Sequence, residues 1–170
     1  MTTASPYSLT HLDAAALLAR LHELVAQDRR TGAALLAHLG EVDARRLYRQ
    51  AACNSMFTYC TERLHFAEGT AYKRIAAARA ARQFPLILDL VATGELHLAA
   101  VALLAPHLDA ANHATLLRAA VHCGKRQVAE QVAALAPRPD APALVRRLPT
   151  PPTPPTPPAP APAHVPAQAP

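Results

Sequence analysis

The end of the chain, residues 149–170, is a proline tract that favours neither helix nor sheet. It holds 11 of the 17 prolines in the sequence, in runs such as Pro-Pro-Thr-Pro-Pro. Proline has no backbone N–H and a restricted φ, so we expect this tract to be disordered and extended, as polyproline II segments are. Such segments commonly act as semi-rigid spacers. The folded domain is therefore predicted to lie within residues 11–148, after a flexible N-terminus at residues 1–10.

The residues before the tract are rich in Ala and Leu and poor in strand-forming residues. The sequence has no Trp, three Phe and four Tyr. This composition predicts an all-α domain of ordinary size. No apolar run approaches the roughly 20 residues that span a bilayer. The start of the chain lacks a secretory signal, and three cysteines are an odd number, so we expect reduced thiols and a cytoplasmic location.

From Leu18 to Val42, a series of residues follows alternating steps of three and four, and all of them are apolar except Asp28 and Gly32. This register predicts one long N-terminal helix over residues 12–47. Gly32 and Gly40 each disfavour a helix by about 1 kcal/mol relative to Ala, so a break at either glycine is an alternative. Leu17 and Leu24 widen the apolar stripe. We therefore expect the helix to pack on the domain or on a partner helix, and self-association through residues 18–42 is one hypothesis.

Residues 56–84 have the outline of a helix-turn-helix. Asn54 or Ser55 is placed to cap a first helix at residues 56–64, and a second helix starts at Thr70 and ends before Pro85. Proline and glycine separate the further predicted helices, which cover residues 86–93, 96–105, 110–123 and 126–136. The expected fold is a compact all-α, multi-helix array with a long N-terminal helix and a helix-turn-helix-like pair.

The net charge of +5 is concentrated in residues 44–82, which contain eight basic and two acidic residues. A local basic excess is typical of a nucleic-acid contact surface, although solvated arginines on an Ala-rich helical protein give the same count. At 100° per residue, the cations of the second helix spread around it, so at least one of Arg79 and Arg82 is a candidate for an internal ion pair rather than a DNA contact. The candidate nucleic-acid-binding residues are Arg45, Arg46, Arg49, Lys73, Arg74, Arg79 and Arg82.

The sequence predicts no catalytic site, no metal and no cofactor. Cys53, Cys60 and His65 lie near one another but lack the ligand spacing of a zinc site, so we interpret the cysteines as buried thiols. The sequence contains no glycine-rich phosphate loop, no nucleophile elbow and no close pair of carboxylates. We therefore expect neither an enzyme nor a small-molecule substrate.

Several ordered blocks of sequence carry a family resemblance. They are LAHLGEVDARRLY from Leu36, MFTYCTERL from Met56, AYKRIAAAR from Ala71, GELHLAAV from Gly94, and KRQVAEQV from Lys125 followed by APRPD. Together the blocks resemble the N-terminal helical region of bacterial HNH endonuclease family proteins, over roughly residues 15–148. In that family, a proline-rich linker and a further helical stretch lead to the HNH motif, a ββα-metal nuclease unit.

The resemblance implies that the chain is related to a family of nucleases. No residue of this sequence matches the HNH motif, so the resemblance does not imply nuclease activity. The expected function is a non-catalytic accessory module that contacts DNA through residues 44–82. One alternative is a protein-interaction or oligomerisation module. Another alternative is a truncated remnant of an HNH endonuclease with no independent function. The nuclease domain would then be either lost or encoded separately. An HNH-coding frame downstream of Pro170 in the genomic DNA would support the remnant hypothesis.

Overall fold

The computed structural model describes residues 7–135, and every regular element within them is helical. The all-α prediction with a long N-terminal helix is confirmed, whereas the predicted proline-rich tail lies outside the described residues. Short 3₁₀ helices occupy Leu47–Ala51 and Ala105–His107, and a π-helical turn covers Tyr59–Arg63. The α-helices are α1 (Ala14–Ala44), α2 (Met56–Thr58), α3 (Glu68–Gln83), α4 (Leu86–Thr93), α5 (Leu98–Leu104), α6 (His113–Ala119) and α7 (Lys125–Leu135).

Helix α1 runs for 31 residues without a break. Its N-terminus is capped by Asp13, whose carboxylate accepts the backbone N–H of Ala16 at 2.7 Å. The helix passes through Gly32 and Gly40 and ends where Arg46 adopts a left-handed conformation with φ 54°. Only its C-terminal half is packed on the domain, since the buried residues of α1 begin at Ala33.

Helix α3 lies at the centre of the array and contacts α1, α2, α4 and α5. Its buried face is made largely of alanines, including Ala71, Ala77 and Ala78. These short side chains let neighbouring backbones approach closely. A Cβ added to Gly40 of α1 would lie 3.0 Å from the carbonyl oxygen of Ala78, so a glycine suits this crossing.

The C-terminal helices complete the core with aliphatic side chains. Ile87, Leu104, Leu117 and Val128 are each fully buried. His97 joins two of these elements, because its Nδ1 accepts the N–H of Ala100 in the first turn of α5 while its Nε2 contacts the carbonyl oxygen of Cys123 at 3.0 Å. Since Nδ1 is an acceptor, the ring proton is on Nε2, and His97 donates it to the loop before α7.

The predicted helix-turn-helix-like pair corresponds to α2, its π-helical extension and α3. Ser55 is the cap of α2, because its Oγ accepts the N–H of Thr58 at 3.0 Å. The π-helical turn is closed by a bond from the N–H of Leu64 to the carbonyl of Tyr59, and it buries Cys60 completely. The first helical segment is therefore short, and its widened turn sets how it meets α3.

Among residues 7–135, no helix combines the length and the apolar character needed to cross a membrane.

Candidate nucleic-acid interface

Three of the predicted arginines meet two carboxylates at the C-terminal end of α1. Arg45 Nε donates to Glu41 at 2.5 Å, one helical turn away. From α3, Arg79 Nε donates to Asp43 at 2.6 Å, and Arg82 Nε lies 3.9 Å from Glu41. The pairs of Arg79 and Arg82 connect α3 to the end of α1, whereas the Arg45–Glu41 pair lies within that end.

All three arginines remain largely exposed, with 54–66% of each side chain accessible to solvent. The carboxylates contact Nε, and within residues 7–135 the terminal guanidinium nitrogens of Arg45, Arg79 and Arg82 make no hydrogen bond. An arginine held at Nε keeps its outer N–H groups free for a second oxygen ligand. The ion pairs therefore orient the arginines without using up their donors.

Two members of this cluster have shifted pKa values that favour their charged forms. The hydrogen bond from Arg45 and its positive charge lower the pKa of Glu41. The hydrogen bond to Asp43 raises the pKa of Arg79, against a smaller opposing effect of burial. Glu41 is thus ionised and Arg79 protonated at physiological pH.

Two further predicted cations flank this cluster: Arg46 directly precedes the 3₁₀ turn Leu47–Ala51, and Arg49 lies within it. Arg46 and Arg49 are exposed, and neither makes an ion pair within the described part of the chain. The turn is held between two left-handed residues, Arg46 with φ 54° and Ala52 with φ 56°. Tyr48, in the same turn, is near enough to Arg79 to influence its pKa. The turn therefore lies beside the cluster.

We call this set the basic surface: Arg45, Arg46, Arg49, Arg79 and Arg82, with the carboxylates of Glu41 and Asp43 among them. Five cations against two anions leave a net positive charge of +3 on this surface. Guanidinium groups with free N–H edges suit phosphate oxygens, which accept two parallel hydrogen bonds. The surface is equipped to contact a phosphate backbone.

The remaining two predicted cations are consecutive residues of α3 with different surroundings. Lys73 is exposed on α3 and has no ion-pair partner among residues 7–135. Arg74 is half-buried, with its guanidinium 4.4 Å from the centre of the Phe66 ring. Arg74 also lines a cleft of about 480 Å³ together with Asp28, Arg29 and His97. It is therefore not part of the basic surface.

Sequence reasoning found the arginines but missed the two carboxylates that position them. Glu41 precedes Arg45 by four residues, a spacing that favours an ion pair on a helix and was readable in the sequence. Asp43 and Arg79 are 36 residues apart, so only the packing of α1 on α3 reveals their contact. Arg79 and Arg82 each have a carboxylate partner on α1, as the sequence indicated for at least one of them, but both arginine side chains are exposed rather than internal, at 63% and 54%.

The described residues contain no cluster of three or more His, Cys, Asp or Glu side chains that could hold a metal ion. All three cysteines are free thiols, and Cys53 and Cys60 are buried, as the sequence indicated. Burial, with a smaller effect of the Asp43 charge, raises the pKa of the Cys60 thiol, so it is a poor nucleophile at neutral pH.

Comparison with protein-family models, with curated proteins and with solved structures finds no match to this chain. The functional interpretation therefore depends on the residues and their geometry.

Proposed function

We propose that the protein is a non-catalytic helical module that binds the DNA backbone through its basic surface. The resemblance of its sequence blocks to the region that precedes the HNH motif makes DNA a reasonable ligand class. The observation that carries the proposal is the arginine cluster at the end of α1, where the carboxylates contact Nε, the outer guanidinium nitrogens make no hydrogen bond within residues 7–135, and 54–66% of each side chain is exposed. Such groups supply phosphate contacts without ordering further side chains.

The same geometry favours binding with little dependence on DNA sequence. Sequence-specific recognition needs side chains that reach base edges, usually from the first turns of a helix in the major groove. The first turn of α3 contains Glu68, Gly69 and Thr70, without a cation, and Glu68 repels phosphate. We therefore expect contacts with phosphate groups to contribute most of the binding free energy, and the affinity for DNA to fall steeply as the salt concentration rises.

A salt titration tests the proposal. Fluorescence anisotropy of a labelled DNA duplex, repeated over a range of salt concentrations, gives the slope of log K against log salt. Each neutralised phosphate contributes about −0.9 to this slope. We expect the double variant Arg45→Gln/Arg49→Gln to weaken binding and to make the slope shallower by about 0.9 for each contact removed.

The matched control is the double variant Arg118→Gln/Arg126→Gln, which removes the same charge from exposed positions on α6 and α7. It should bind nearly as the parent does. Two results would refute the proposal: no binding at low salt, or equal loss of affinity in the two double variants. Equal loss would indicate attraction to net charge alone.

A further inference from the structure

The exposed N-terminal half of α1 has an apolar face with no covering element among residues 7–135. Five aliphatic side chains form it, and their exposed fractions range from 40% to 56%: Leu17, Leu18, Leu21, Leu24 and Val25. On an α-helix these positions fall within an arc of about 120°. We call this set the α1 apolar face. Single exposed leucines are ordinary, whereas five on one face of one helix mark a contact surface.

We infer that the α1 apolar face binds a second copy of this chain, with the two α1 helices antiparallel and crossing at Leu21. The positions are symmetric about Leu21: Leu18 and Leu24 are three residues away on either side, and Leu17 and Val25 are four residues away. In an antiparallel pair centred on Leu21, Leu17 of one copy faces Val25 of the other. The face is thus complementary to itself, as a two-fold interface requires.

The next polar residue on this side of α1 favours the antiparallel arrangement. Asp28 is exposed and lies one helical turn beyond Val25 on the same side of the helix. In a parallel pair, Asp28 would face Asp28 of the second copy, and like charges at an interface are unfavourable. In the antiparallel pair Asp28 faces Ala14, the first residue of α1.

Beyond Asp28, the same side of α1 leads to the cleft that contains Arg74, whose lining is partly charged and partly apolar. Gly32 and Leu36, further along the same side of α1, form one wall of this cleft, and Val91 and Leu98 are on its other sides. In the antiparallel pair, the start of the second copy's α1 lies beside the mouth of this cleft. The interface therefore extends somewhat beyond the five aliphatic residues, but it stays near the low end of specific interfaces, about 1,000 Å² in total. We expect a reversible dimer with a dissociation constant in the micromolar range.

Sedimentation equilibrium of the full chain, without DNA, measures this association. We expect a monomer–dimer equilibrium that the variant Leu21→Glu shifts to monomer, weakening association by about 100-fold or more, because two carboxylates then meet on the two-fold axis. The control Ala19→Glu adds the same charge to the same half of α1 on the side opposite the face, and it should dimerise as the parent does. A strict monomer, or a Leu21→Glu variant that still dimerises, would overturn the inference.

Cysteine cross-linking in a Cys123→Ser background tests the direction of the pair, since Cys53 and Cys60 are buried. Leu21→Cys should form an intermolecular disulfide, because residue 21 of one copy meets residue 21 of the other. Leu17→Cys should not, because the two copies of residue 17 are about 12 Å apart along the antiparallel pair. Equal cross-linking of the Leu21→Cys and Leu17→Cys variants would show a parallel pair and refute the antiparallel alignment centred on Leu21. Failure of Leu21→Cys to cross-link would refute the contact.

Discussion

At the scale of single residues, two glycines in this chain have opposite roles. Gly94 ends α4 with φ 81°, a conformation that side chains other than glycine rarely adopt, and the Arg29 side chain lies over it. Arg29 also donates to the carbonyl of Thr93, one of the unpaired carbonyls at the end of α4. Gly32 sits within α1, where an added Cβ would meet nothing within 4 Å.

This contrast predicts opposite changes in stability. Gly94→Ala should lower the free energy of unfolding by about 1 kcal/mol or more, because alanine is strained at a left-handed φ. Gly32→Ala should raise it by up to about 1 kcal/mol, because alanine favours the helix and is not obstructed. Chemical denaturation of both variants beside the parent measures the two changes. A stabilised Gly94→Ala variant would contradict the end of α4 described above.

Residue-level prediction from the sequence succeeded where the cause is local and failed where it depends on packing. Gly94 was expected just past the end of a helix, and Ser55 was one of two expected caps; both are observed. The left-handed conformations of Arg46 and His65 were not predicted. Neither residue type favours this conformation as glycine does, so it is imposed by the surrounding contacts.

At the scale of elements, α2 and its π-helical turn form the least regular part of the domain. The sequence predicted one helix over residues 56–64, whereas the structure has three α-helical residues followed by a π-helical turn. Helical periodicity does not distinguish the two, because the widened turn keeps Cys60 on the buried side.

The thiols report on the packing of this element. Cys60 is fully buried with a raised pKa, and Cys53 is also buried, whereas Cys123 is only partly buried. With a thiol reagent under native conditions, we expect Cys123 to react first, and Cys60 only when α2 and its π-helical turn detach or the domain unfolds. A Cys123→Ser variant should lose the fast phase. Native labelling of Cys60 as fast as that of Cys123 would contradict the packing.

The helix boundaries show what the sequence leaves open. The long N-terminal helix was expected over residues 12–47 and is Ala14–Ala44, because Arg46 leaves the helical conformation. A helix expected over residues 110–123 is only His113–Ala119, because Asp109 and Asn112 hold a separate turn before it. The positions of proline and glycine correctly predicted where one helix is separated from the next. The backbone conformation of Arg46 set the end of α1, and the side-chain bonds of Asp109 and Asn112 set the start of α6.

At the scale of the whole molecule, the two halves of α1 have different roles. The C-terminal half packs on α3 and α4 and supplies the carboxylates that hold Arg79 and Arg82. The N-terminal half presents the α1 apolar face. A dimer through this face would carry two copies of the basic surface, and two linked surfaces bind one long DNA more tightly than either alone.

The predicted all-α fold and long first helix followed from composition and periodicity, which are summed over many residues. The candidate site was predicted only as a set of residues. The sequence did not separate the cations of the basic surface from Arg74, because the split depends on which side of α3 faces the domain. It also gave no sign that the apolar stripe is half buried and half exposed, since periodicity does not show where a neighbouring helix ends.

The most direct test of DNA binding by the basic surface compares Arg46→Gly with Ala52→Gly. Both residues have nearly the same left-handed φ, 54° and 56°, so glycine relieves similar backbone strain at each. Both variants should stay folded, with a melting temperature no lower than that of the parent. Only Arg46→Gly removes a cation.

Duplex DNA binding of the two variants is measured over a salt series. We expect Arg46→Gly to bind more weakly than the parent, with a salt slope shallower by about 0.9, and Ala52→Gly to bind as the parent does. If both variants bind DNA with the affinity and salt slope of the parent, Arg46 contacts no phosphate and the proposed interface is wrong.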